Sequence, residues 1–361
     1  MRTMERTDLK WAHPESASEG WYAIPMPDMR AYVKQDPKKT DAMMDEMCAQ
    51  MAPAITASET FDWKEYAAFG CVEEPEAPSV KVMVGTPKKH KKGKKLPVVF
   101  GIAGGGLIFG GRAEMCAAAY PPYLEMAGVD HIEVTFSYRL APGAEYPAAI
   151  NDCHAAYQWM IDHAEELDID TDRIVIYGIS TGGHLALCTT FRIKRYQYCG
   201  APMPRGVVIQ VPVMDDCALT HSSGFFFDNE DGTKAAWDAE LTQCGYKAYL
   251  GEHFGDPRLL PEAVPNRATA EDVKGFPPLW VPAEAEFEPG RDSLLHFAQL
   301  LYNADIFCDL HVWGGTSHQG FTAKETDFAK RCNAVFAGAI RDALTYDFRR
   351  PWLNEADASR E

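Results

Sequence analysis

From residue 79 onward, short apolar, β-branched runs alternate with longer stretches of helical periodicity. The strand-length runs fall at residues 80–84, 97–102, 132–136, 173–178, 206–212, 279–283 and 306–313. Helical stretches lie near 113–127 and at 147–167, 184–194, 292–303 and 325–345. In the 147–167 stretch, Ala149, Ile150, Cys153, Tyr157 and Ile161 fall on one face, which predicts their burial. Strands alternating with helices predict an α/β fold with a mostly parallel, doubly wound sheet. In such a sheet, ligands bind beyond the carboxyl ends of the strands.

Two regions break the rhythm. Residues 1–75 show no strand alternation and predict two short amphipathic helices, at 28–34 and 40–51. In the second, Ala42, Met43, Met47 and Met51 form the expected buried stripe, and Trp11, Trp21 and Tyr22 add apolar bulk before it. Residues 214–260 are acidic and aromatic, with Phe225, Phe226, Phe227, Trp237 and Tyr246, and read as an insertion. The expected division is a segment at 1–75, a core at 76–213 and 261–361, and an insertion at 214–260.

Charge narrows the partners. The 361 residues carry a formal net charge of −17, which argues against nucleic acid or an anionic membrane surface. The basic run 88–95 sits between two strands and reads as a solvated hairpin loop. Residues 1–10 lack the apolar core of a secretory signal, and no apolar run is long enough to span a bilayer. Ten cysteines show no zinc-site spacing and read as reduced, packed thiols. The expectation is a cytoplasmic protein with no metal or other cofactor and no membrane insertion. The sequence leaves a homodimer open.

The chemistry concentrates at Gly178-Ile179-Ser180-Thr181-Gly182, where a strand turns directly into a helix. Glycines on both sides permit a tight turn. Ser180 would stand at a helix N-terminus, where partial positive charge favours a developing anion. Alone, the pattern also fits a serine in an ordinary βα turn. Upstream, Gly104-Gly105-Gly106 follows a strand and could point backbone N–H groups into a cavity. Downstream, Glu284, Glu286, Glu288 and Asp292 follow one strand, and His318 follows another in a Gly/Ser loop. Serine, acid and histidine then occur in the chain order of an α/β-hydrolase. His184, His296 and His311 lie inside elements and read as structural.

These stretches, with Tyr138-Arg139-Leu140-Ala141-Pro142 and Pro147-Ala148-Ala149-Ile150-Asn151-Asp152, resemble the hormone-sensitive-lipase family of α/β-hydrolase esterases over residues 80–212 and 275–345. The resemblance implies Ser180 as nucleophile, His318 as general base and Glu288 as orienting acid, with Asp292 and Glu286 as fallbacks. It implies an oxyanion hole from the amides of Gly105, Gly106 and Thr181, and a helical cap built from the N-terminal segment and the insertion. The chain departs from the family at Ala103 (for His), Ile179 (for Asp), Glu288 (for Asp) and the inserted Gln319. The expected reaction is hydrolysis of a small or medium apolar carboxylic ester. A lactone or activated amide would suit the same groups. The plant gibberellin receptors, which resemble the family but lack the histidine, offer the alternative of a silent small-molecule receptor.

Overall fold

The computed structural model describes residues 5–6, 29–197, 200–226, 237–318 and 326–349. Trp11, Trp21, Tyr22, Phe227, Gln319 and Glu325 lie outside them. Eight strands form one sheet: β1 (Phe61–Ala68), β2 (Val80–Pro87), β3 (Leu96–Ile102), β4 (Ile132–Phe136), β5 (Ile169–Ile179), β6 (Gly206–Gln210), β7 (Leu279–Ala285) and β8 (Cys308–Trp313). Their order is β8-β7-β6-β5-β3-β4-β2-β1. All neighbours run parallel except β2, which is antiparallel to both β1 and β4. Every residue of β3, β4 and β7 is buried, as expected where helices cover both faces of a parallel sheet. The helices of six residues or more among the described residues are α1 (Met29–Lys34), α2 (Pro37–Thr56), α3 (Ala113–Ala119), α4 (Ala148–Asp162), α5 (Thr181–Arg195), α6 (Ala239–Leu250), α7 (Arg291–Asn303) and α8 (Asp327–Thr345). The α/β architecture is as the hydrophobic pattern predicts.

Several local expectations are corrected. β1 lies within the region that showed no strand alternation. Only Phe61 and Ala68 at its ends are buried, and Asp62, Lys64 and Glu65 mark it as an edge strand, where charges block pairing with another chain. The basic loop 88–95 is not a hairpin, because β4 separates β2 from β3. Its His90 Nε2 lies 2.9 Å from Asp168 Oδ2, and Lys95 contacts Glu165. On α2 the buried stripe is Thr40, Met44, Cys48 and Ile55, one position round from the expected methionines. Ala42 is exposed, whereas Met43, Met47 and Met51 are half-buried at its margin. The helical stretch after residue 113 breaks at Pro121–Pro122 into three short pieces, since proline lacks the amide that a helix interior needs. The helix begun at 148 ends at Asp162, short of residue 167.

A buried ion network ties α5 to its surroundings. Arg192 Nε donates to Glu262 Oε2, and its Nη1 donates to Glu73 Oε1 and Asn151 Oδ1, each at 2.9 Å. Burial acts to raise the Glu73 carboxyl. Hydrogen bonds from His154 and Cys71, together with Arg192, outweigh that and hold it at about 2. Removing the shared buried cation leaves Glu262 to Arg195 and Glu73 to His154 and Cys71, so Arg192→Met is expected to cost about 3 kcal/mol in urea denaturation. A depressed carboxyl pKa contributes stability above the unfolded value of 4.5, and that contribution is lost as pH falls toward about 2. The penalty of Arg192→Met should therefore narrow across that window.

Candidate active site

The loops after β3, β5, β7 and β8 leave the carboxyl ends of parallel strands and open on one edge of the sheet. After β5 the chain reverses in a single residue. Ser180 adopts φ 60° and ψ −126°, a left-handed conformation that costs energy for a side-chain-bearing residue and recurs at functional sites. Close backbone approach makes it possible. A Cβ on Gly178 would lie 2.2 Å from the Gly182 carbonyl oxygen, and one on Gly182 would lie 2.2 Å from that of Ile102. The Ser180 amide donates to the Gln210 carbonyl at 2.9 Å, anchoring the turn to β6.

Ser180, His318 and Glu288 are joined in one line. Ser180 Oγ lies 2.8 Å from His318 Nε2, and His318 Nδ1 lies 2.7 Å from Glu288 Oε2. A carboxylate accepting at Nδ1 places the imidazole proton there and leaves Nε2 free to accept from the serine hydroxyl. Glu288 is fully buried. Burial pushes its carboxyl up, and the neighbouring His318 pulls it back toward the ionised form. The other acids face elsewhere. Asp292 accepts from the Ser222 amide at 2.8 Å and from Arg291, and Glu286 accepts from the Gly315 amide at 2.6 Å. His184 is buried against the Val213 carbonyl and the Tyr246 hydroxyl. Burial lowers it to about 4, so it is a neutral core histidine.

The Gly-rich loop lies directly beside the serine. A Cβ on Gly104 would come within 3.3 Å of the Ser180 Cβ, and Gly105 holds φ +127° against the Phe109 carbonyl. Where Ala103 leaves no side chain to brace the loop, two buried tyrosines do so. Tyr138 donates to the Ala103 carbonyl and Tyr120 to the Ile102 carbonyl, both at 2.7 Å. The Gly106 amide donates to Thr181 Oγ1 at 3.0 Å. Of the three amides expected to receive an oxyanion, this one already has an acceptor that a reacting oxygen would have to share.

Three features beside the site were given no specific role by sequence reasoning. Trp237 stacks on His318, with ring centroids 5.5 Å apart and planes 27° from parallel. Helix α6, two residues beyond it, packs so closely that a Cβ on Gly245 would meet the Gly106 carbonyl at 2.7 Å. Glu284, the penultimate residue of β7, is wholly buried. The sequence showed the last only as one of four acids after a strand, and nothing in a linear pattern signals the first two. A cleft of about 970 Å³ between α2 and the sheet contains none of these groups.

Two clusters of potential metal ligands occur among the described residues: Cys71, Glu73 and His154, and Asp215, Asp216 and Cys217. Each already contains a guanidinium, from Arg192 or Arg267, and reads as an ion network. No helix among the described residues is long and apolar enough to cross a membrane.

A family model described as the alpha/beta hydrolase fold matches residues 100–322. Esterase LipI of Mycobacterium tuberculosis is 28% identical over 65% of this chain and 70% of its own length. Mouse hormone-sensitive lipase is 27% identical over 45% of this chain, but over 21% of its own. The chain spans 47% to 70% of the length of the first curated relatives it matches. Among solved structures, a bacterial heroin esterase superposes with a TM-score of 0.77 at 27% identity, covering 94% of this chain and 100% of the other.

Proposed function

The chain belongs to the alpha/beta hydrolase fold family, and we propose that it is a serine carboxylic ester hydrolase acting on small to medium apolar esters. The observation that carries this reading is the unbroken Ser180–His318–Glu288 line at the carboxyl edge of the sheet. His318 Nε2 takes the Ser180 proton as Oγ attacks the ester carbonyl. Glu288 holds the imidazole and offsets the positive charge that forms. The alkoxide of the tetrahedral intermediate meets the amides of Gly105, Gly106 and Thr181, each donor worth roughly 3 kcal/mol in the transition state. His318 returns the proton to the leaving alcohol, and water then releases the acyl group by the same route.

The apolar preference is supported by Ile179 and Trp237 beside the reacting groups. Residues 1–75 and 214–260 serve as the cap in this reading. Residues 5–6 pair with 225–226, Arg30 on α1 contacts Glu240 on α6, and Trp237 lies over His318. β1 is the part of that N-terminal segment that belongs to the sheet. Lactones and activated amides fit the same groups. A cytoplasmic location fits Cys48, Cys71, Cys116, Cys153, Cys188, Cys308 and Cys332, all of them buried free thiols.

Fluorophosphonate labelling, with hydrolysis of p-nitrophenyl esters of increasing acyl length, tests the reading. Covalent labelling and turnover that peaks at short or medium chains are expected. An unlabelled protein, or a preference for long chains only, would overturn it.

A further inference from the structure

Behind Glu288 sits a second buried carboxyl that the reaction as written does not use. Glu284 and Glu288 are both fully buried, four residues apart where β7 ends and the chain turns toward α7. Each carboxyl has one oxygen engaged and one without a partner. Glu284 Oε1 accepts from the Ala285 amide at 3.2 Å, and Glu288 Oε2 accepts from His318. Glu284 Oε2 and Glu288 Oε1 have no hydrogen-bond partner. A buried carboxylate oxygen without a partner is costly, and two like charges that act on one another in a buried site cannot both persist. A single proton removes both problems.

On the reading of Ser180, His318 and Glu288 given above, we propose that Glu284 is a positioning residue: a neutral carboxylic acid whose Oε2–H donates to Glu288 Oε1 and fixes the carboxylate that holds His318. The hydrogen-bonded line then runs through four side chains, with one net negative charge on the two acids. Burial and the charge of Glu288 both push the Glu284 carboxyl well above its ordinary range, and Arg291 opposes them. The charged groups acting on the pair are thus Arg291 from the first turn of α7 and His318 from the loop after β8. Arg291 itself is directed at Asp292 and the Glu286 carbonyl. A donor on Glu288 orients its other oxygen toward Nδ1. It also spreads the negative charge, so that the imidazolium is not over-stabilised. Outer partners of this kind typically change activity by about 10- to 100-fold.

The test compares Glu284→Leu and Glu284→Gln in the full-length protein. Glu284→Leu removes the donor and should lower kcat by about tenfold or more, with little change in KM and with the acid limb of the pH–rate profile displaced upward. Glu284→Gln keeps a neutral N–H donor and should recover most of that kcat with the acid limb in place. Infrared spectroscopy at neutral pH should show a protonated-carboxyl band that persists in Ser180→Ala and is lost in Glu284→Gln. A downward shift of the acid limb in Glu284→Gln would mean that Glu284 is ionised, and the proposal would be wrong. It would equally be overturned if folded Glu284→Leu matched wild type, or if the infrared band were missing. Fluorophosphonate labelling of wild type separates these outcomes from failure of the hydrolase reading, because it requires Ser180 activated by His318 whether Glu284 is neutral or ionised.

Discussion

Ser180→Ala is expected to abolish fluorophosphonate labelling and to lower kcat for p-nitrophenyl esters by at least about 10⁴-fold. The substitution removes only Oγ, which lies 2.8 Å from His318 Nε2. Alanine has the same backbone needs as serine at φ 60°, and the glycines around the elbow still permit the close approach. Stability should therefore change by well under the loss in transition-state energy, which is about 5 kcal/mol for a 10⁴-fold fall. Residual hydrolysis would come from the oxyanion donors acting on bound substrate with water as nucleophile. KM should stay within a few-fold, since no other group of the site is changed. Turnover equal to wild type would locate the chemistry elsewhere, and the 970 Å³ cleft by α2 would become the first place to look.

Legibility in the sequence followed the reach of each signal. The strand–helix alternation is a local pattern, and the mostly parallel sheet it implies was readable because parallel strands must be covered on both faces. The elbow was readable because a tight turn between strand and helix demands glycines at fixed offsets, and His318 because it follows a late strand in a small-residue loop. β1 was not, because an edge strand buries only its ends and carries charges that erase alternation. The methionine stripe on α2 was misplaced by one position because Met43, Met44, Met47 and Met51 allow two neighbouring stripes, and only the tertiary partner decides which is buried. Trp237 on His318 and the tyrosines beneath Ala103 are contacts across 18 residues or more of chain, which no period records. Thr181 was read only for its amide, yet its hydroxyl holds the Gly106 amide.

The choice of acid gives the second large effect. Glu288→Gln is expected to lower kcat by about 10³- to 10⁴-fold, whereas Asp292→Asn should stay within about threefold of wild type. Glu288 alone among the nearby acids reaches His318 Nδ1. Its replacement by an amide removes the negative charge that offsets the imidazolium. An amide can also present N–H to Nδ1, which would move the imidazole proton to Nε2 and leave nothing to accept from Ser180. Asp292 instead caps the Ser222 amide and pairs with Arg291, so its loss should appear as about 1 kcal/mol of stability. The pH dependence follows the same sign. Burial pushes the Glu288 carboxyl up and His318 pulls it back, so its protonation on the acid side removes the acceptor at Nδ1. Glu288→Gln has no such carboxyl to protonate, so its residual activity should persist to lower pH than that of wild type. If Asp292→Asn proved the more damaging change, the acid would have to be reassigned to α7, and the hydrogen bond between His318 and Glu288 would be structural only.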